Sequence, residues 1–209
     1  MPPETPSRPT PDREIPRPTT SSASNGFEVP ENCPWTIVLG IDPGTQVVGY
    51  GAVVPKGAKI AMLAAGVMRA PARQSPPIRL GLILEQFEQL LARLKPNVVV
   101  VERAFVKDNT MTALRIGEGR GMILAAASRF GAEVIELTPA EAKKTITGNG
   151  QAEKEQVAEL VAAELGLSEV PQPLDATDAL ALAVTHVHRA RVRSMLVEPD
   201  PPSVTPRTV

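Results

Sequence analysis

The stretch VLGIDPGTQVVGYGAVV, residues 38–54, decides the fold. Two apolar runs flank a Pro-Gly pair, and the first of them ends in a carboxylate, Asp42. Residues 36–41 read as a strand that is otherwise buried core, and residues 47–54 as the strand that follows it. An acid in that position can hold a metal ion, face a nucleotide phosphate, or form the turn before Pro-Gly. The stretch alone fits a metal site and a phosphate loop equally well, so the rest of the chain has to separate them.

Working outward, residues 60–69 read as a third strand. Residues 77–94 carry Leu80, Ile83, Leu84, Phe87, Leu90, Leu91 and Leu94 at helical spacing and stop before Pro96. Residues 97–101 end in four valines, as in a strand buried on both faces, and Glu102 closes the run. Residues 110–130 read as a long helix, although Gly117, Gly119 and Gly121 are costly inside one; they are expected to permit close helix packing. Residues 133–137 form a short strand. Thr138-Pro-Ala-Glu141 is a capping box with proline at the first helical position, and the helix it opens ends at Gly148-Asn-Gly150. Helices at 151–165 and 174–193 complete the order β-β-β-α-β-α-β-α-α-α. The expected architecture is α/β, a mixed sheet flanked by helices. The chain has no internal repeat.

With 209 residues and 43% hydrophobic content, the chain can build one domain with a real core. Aromatics are only 3%, so Ala, Val, Leu and Ile must fill that core. Proline-dense residues 1–34 read as a disordered arm and 194–209 as a disordered tail, leaving 35–193 as the folded body. One cysteine, Cys33, excludes a disulfide framework and a Cys-rich zinc site. No apolar run reaches membrane-span length and no signal-like segment opens the chain, so a soluble, cytoplasmic protein is expected. The net charge of −1 conceals a split. Residues 56–144 hold 14 Lys and Arg against 8 Asp and Glu, whereas residues 145–190 hold 2 against 7. A basic middle beside an acidic end suits a protein that attracts phosphates around a metal-filled centre, though uneven surface charge with no partner produces the same pattern.

Four acids stand out by position. Asp42 and Glu102 end strands, and Asp175 and Asp178 share one face at the start of the last helix. In open α/β sheets functional groups gather beyond strand ends and at helix starts, so four carboxylates from three segments can meet there. Uncompensated, they would repel and raise one another's pKa values. A divalent cation removes the conflict, and all-oxygen ligands suit Mg²⁺ or Mn²⁺. Taken singly, each has a plainer explanation: Asp42 a turn, Glu102 an exposed strand end, the two aspartates partners of a helix dipole.

The segments LGIDPGTQVVGYGAV, VVVERAF, ALRIGEGRG, TPAEAKKTITGNGQAEKEQV and DATDALALAVTH, spread in order from Leu39 to His186, closely resemble the RuvC family of Holliday junction resolvases. The resemblance implies a ribonuclease H-like fold, a homodimer, and two-metal cleavage of four-way DNA junctions. It places the family's four acids on Asp42, Glu102, Asp175 and Asp178. Two Mg²⁺ or Mn²⁺ ions about 4 Å apart, bridged by Asp42, would activate a water and stabilise the leaving 3′ oxygen. Glu102 and Asp175 would complete the shells, and Asp178 would ligate or orient the water. Paired sites across a two-fold axis would nick two strands of like polarity, giving ligatable 5′-phosphate and 3′-hydroxyl ends in recombination and repair.

The resemblance also sets Phe105 beside the site as a base-stacking aromatic, an interaction worth roughly 1–3 kcal/mol; a core Phe anchoring the loop is the plain alternative. Lys143 and Lys154 match basic residues near the scissile phosphate, although Lys154 can instead pair with a neighbouring acid. Arg103 and Lys107, and with less support Arg115 and Arg120, can meet the DNA backbone. His186 and His188 read as structural. A branch-migration complex of RuvA and RuvB is the implied partner. The rivals are an ATPase of the actin or sugar-kinase type, a general ribonuclease H-like nuclease on linear or hybrid duplex, and a non-catalytic junction-binding protein. The first would need a second domain with its own phosphate loop, and the last would be expected to lack some of the acids.

Overall fold

The computed structural model describes Val29 and residues 33–44, 46–103 and 110–196. Its elements run β1 (Val38–Pro43), β2 (Val47–Lys56), β3 (Lys59–Arg69), α1 (Pro76–Leu94), β4 (Val98–Glu102), α2 (Thr110–Phe130), β5 (Glu133–Leu137), α3 (Pro139–Thr147), α4 (Lys154–Glu164) and α5 (Leu174–Leu196). The five strands form one sheet in the order β3-β2-β1-β4-β5. β1 pairs antiparallel with β2 and parallel with β4, and β4 pairs parallel with β5, so the sheet is mixed.

Strand alternation sorts the core into two layers. Leu39, Ile41, Val99 and Val101 pack with Phe87, Leu91, Ile123 and Ala127 under α1 and α2. Val38, Val98 and Val100 pack with Val157, Val161, Leu180 and Val184 under α4 and α5. The valine run of β4 is buried on both faces because a helical layer covers each. Fully burying one such aliphatic side chain contributes about 1.5–3 kcal/mol, so the two layers supply most of the fold's driving force.

Three departures from the sequence reading have clear causes. β1 continues through Asp42 and Pro43, which face Gly49 and Val48 across the ladder, so Asp42 is a strand residue and not a turn former. α4 begins at Lys154 rather than at 151, because the Asn149 side chain accepts from the Gln151 N–H at 3.0 Å and holds those residues in a turn. α2 is unbroken across its three glycines, but they do not serve close packing against other described residues. A Cβ at Gly117 or Gly121 would meet nothing within 4 Å, and one at Gly119 only the tip of Leu80 at 3.9 Å.

The expected arm and tail lie largely outside the described residues. Val29, however, is buried, and its N–H donates to the Arg93 carbonyl oxygen at 3.0 Å, so the packed body reaches back to that residue. α5 likewise continues to Leu196. Among the described residues, no helix is long and apolar enough to cross a membrane.

Candidate active site

Parity aims the two strand-end acids. Leu39 and Ile41 point toward α1 and α2, so Gly40 and Asp42 face α5 by alternation. On β4, Val98 and Val100 face α5, and Glu102 follows them in the same phase. Ile41 registers with Val101 in the parallel β1–β4 pair. Asp42 and Glu102 are therefore the next pair in register on neighbouring strands, one strand spacing of about 4.8 Å apart.

Small residues bring α5 to these acids. A Cβ added at Gly40 would fall 1.9 Å from the Ala179 carbonyl oxygen, and one at Gly49 would fall 2.0 Å from the Asp175 carbonyl oxygen. At Gly51 it would meet the Leu180 side chain at 2.6 Å. The backbone of α5 thus lies directly on β1 and β2, where any larger residue would hold it off. That close approach puts Asp175 and Asp178 beside Asp42.

A cavity of about 180 Å³ opens between the sheet end and the helices, and Asp42, Glu102, Asp178, Lys143 and Lys154 line it. Asp175 does not line it, but is near enough for its charge to act on Asp42. Lys143 is carried by α3, whose start is locked. The Thr138 hydroxyl accepts from the Glu141 N–H at 3.2 Å, and the Glu141 carboxylate accepts from the Thr138 N–H and hydroxyl at 2.8 Å each. Arg189 on α5 donates to the same carboxylate at 3.0 Å. The Thr138 hydrogen bonds chiefly hold the Glu141 carboxyl down to about 2, with Arg189 adding to the effect. Lys154, at the start of α4, places Nζ 2.6 Å from the Asp178 Oδ2.

The electrostatics are those of a cluster short of positive charge. Burial pushes the Asp42 carboxyl up to about 6, and Asp178 and Asp175 push the same way against Lys154. Burial pushes Glu102 up to about 7, with Asp42 and Asp178 adding to it and Lys154 and Lys143 opposing. Two lysines therefore do not neutralise the site. Among the described residues, no three acids or histidines already stand gathered tightly enough to hold a metal ion. The donor set nevertheless fits a hard cation: it is entirely carboxylate oxygen, and a divalent charge would offset the burial and mutual repulsion that raise both carboxyls.

Asp42, Glu102, Asp178, Lys143 and Lys154 are thus brought together at one cavity, with Asp175 close to Asp42. Arg103 is exposed just beyond Glu102, its N–H donating to the Leu137 carbonyl oxygen at 2.8 Å. Phe105 and Lys107 lie outside the described residues. Arg115 is tied to Glu118 at 3.1 Å and Arg120 to Glu136, both on the α2 side of the sheet, which weakens their case as phosphate contacts. His188 contacts Glu164 at 2.7 Å, and burial lowers the pKa of His186, in keeping with structural roles. Sequence reasoning missed the seating function of Gly40, Gly49 and Gly51. The available signal was their shared strand phase with Asp42.

The profile of the crossover junction endodeoxyribonuclease RuvC family matches residues 38–186. The crossover junction endodeoxyribonuclease RuvC of Heliobacterium modesticaldum is 43% identical over 152 residues, spanning 73% of this chain and 94% of that protein. The Moorella thermoacetica protein of the same name is 45% identical over 150 residues, spanning 72% and 90%. Among solved structures, Thermus thermophilus RuvC in complex with a Holliday junction substrate superposes with a TM-score of 0.69 at 34% identity, covering 75% of this chain and 96% of that one.

Proposed function

Since the chain belongs to the RuvC family of crossover junction endodeoxyribonucleases, with the family's ribonuclease H-like fold, we propose that it resolves Holliday junctions by hydrolysing phosphodiester bonds at the Asp42–Glu102–Asp178 cavity. The observation that carries this reading is the convergence of those acids from β1, β4 and α5 on one basic-rimmed cavity. Asp42, Glu102, Asp175 and Asp178 would hold two Mg²⁺ or Mn²⁺ ions. When bound, such ions lower the pKa of a water and stabilise an alkoxide leaving group.

The chain's own groups do the remainder. Asp42 sits between Glu102 on one side and the α5 aspartates on the other, which makes it the natural shared carboxylate. Glu102, whose carboxyl burial pushes up to about 7, would be held ionised near neutral pH once a cation offsets that burial and its acidic neighbours. Lys143 and Lys154 would offer ammonium donors to the scissile phosphate, and Arg103, Phe105 and Lys107, all within five residues of Glu102 in sequence, would contact the DNA.

The enzyme acts as a homodimer, since two sites are needed to nick two strands of like polarity. Supporting this, α2 leaves Met111 and Leu114 more than half exposed, with Gly117 and Gly121 uncovered on the same side. A cytoplasmic setting and cooperation with a RuvA–RuvB branch-migration complex belong to the same reading.

The test compares a synthetic mobile four-way junction with a matched linear duplex, with Mg²⁺ and with EDTA. Paired, symmetric nicks in the junction alone, lost in EDTA, are expected. Equal cleavage of both substrates would make this a general nuclease instead.

A further inference from the structure

Lys154 stands apart from the other basic groups of the site because it touches a carboxylate directly. Its Nζ lies 2.6 Å from the Asp178 Oδ2, shorter than the usual range of about 2.7–2.9 Å for charge-assisted N–H···O bonds. The lysine side chain is 61% exposed while that of Asp178 is 19% exposed, so the charge reaches in from solvent over the mouth of the cavity. An isolated pair at such a surface contributes little. This one acts on more than one acid, because the ammonium also lowers the pKa values of Asp42 and Glu102 against the effect of burial.

An ammonium carries one charge and three donors, but no acceptor. A divalent ion binds carboxylate oxygens at about 2.0–2.1 Å and repels a second cation at the same oxygen. Drawn to the same carboxylate, the two cations repel, so each weakens the other's hold on Asp178. We propose that the Lys154 ammonium and a divalent cation compete for Asp178, so that cation binding releases Lys154 from the acid cluster. Lys154 is then an exchangeable internal counterion. It keeps the carboxylates compatible with a folded cavity, and it becomes available to a phosphate oxygen once the stronger cation takes its place. This inference rests on the reading of the acids as a cation site.

The experiment measures Mn²⁺ binding to the full chain without DNA, by calorimetry or by electron paramagnetic resonance of free Mn²⁺. Lys154→Met removes the competitor and is expected to tighten binding by roughly three- to tenfold, while Lys154→Arg stays near wild type. In the wild-type chain, the rate at which an acetylating reagent modifies Lys154, followed by mass spectrometry, is expected to rise when Mn²⁺ is added. Unchanged or weaker Mn²⁺ binding by Lys154→Met, or labelling of Lys154 that ignores Mn²⁺, overturns the competition. A wild-type chain that binds no Mn²⁺ overturns the cation site itself, a distinguishable result.

Discussion

Asp42 and Glu102 carry opposing demands: they need burial to sit at the ends of core strands, yet they need charge to bind a cation. Their folded values of about 6 and about 7 lie above the unbound references of 3.8 and 4.5. Each therefore destabilises the fold once ionised, by an amount on the order of 3 kcal/mol before relaxation. That cost is fully present above about pH 7 and disappears as pH falls through the folded values toward 4. His186, with a lowered value, works the other way as pH falls through this range, so comparison with a variant isolates the effect. In EDTA, thermal unfolding followed from pH 8 to pH 5 should show wild type gaining stability relative to Asp42→Asn. Saturating Mg²⁺ should flatten the difference, and parallel profiles in EDTA would show that neither burial nor neighbouring acids raise Asp42. Asp178→Asn should abolish nicking and leave junction affinity within about threefold in a gel-shift titration, because it removes a ligand without removing a cation. These acids were legible in the sequence because each ends a strand or opens a helix. The Lys154–Asp178 contact was open as one of two options, since sequence does not say which of two nearby charges a long flexible side chain will choose.

At the scale of elements, the site exists because α5 lies flat on β1 and β2. That contact depends on side chains that are missing. Alanine at Gly49 would drive a methyl group to 2.0 Å from the Asp175 carbonyl oxygen, and backbone cannot yield as a flexible side chain can. The expected cost is about 1–3 kcal/mol of stability. Cleavage should fall further than stability predicts, because the helix start carrying Asp175 moves. Denaturant unfolding and junction nicking measured on the same preparation check this, and a Gly49→Ala enzyme with wild-type rates would remove the seating argument. Thr138→Val leaves the Glu141 N–H without its cap and should cost about 1 kcal/mol, with a smaller effect on cleavage through Lys143. The strands, the helix starts and the capping box were readable from periodicity and turn chemistry. The role of the glycines was not, because a glycine in a strand looks the same whether it marks weakness or makes room for a helix.

At the scale of the molecule, the sequence led correctly to a five-stranded mixed sheet between helical layers, but the close packing expected at Gly117, Gly119 and Gly121 is not made by the described residues of one chain. A helix bears three glycines at roughly 1 kcal/mol each only if something offsets that cost, and no other part of the described chain covers Gly117 or Gly121. Leu114, Gly117 and Gly121 recur at helical spacing on one stripe, with Met111 a turn before them and Ile78 exposed at the start of α1. A second copy related by a two-fold axis would bring the same stripe against itself, which is the geometry that rewards small residues. Light scattering of the purified chain should therefore report twice the 22.2 kDa chain mass. Leu114→Glu, which sets like charges against each other across the axis, should shift it to a monomer with an unchanged circular dichroism spectrum. If so, its junction nicks should become uncorrelated: on a cruciform plasmid the wild type should yield linear product directly, whereas the variant should accumulate nicked circles first. A Leu114→Glu protein that remains dimeric would place the two-fold contact elsewhere, and a wild-type monomer would leave paired cleavage without a structural basis.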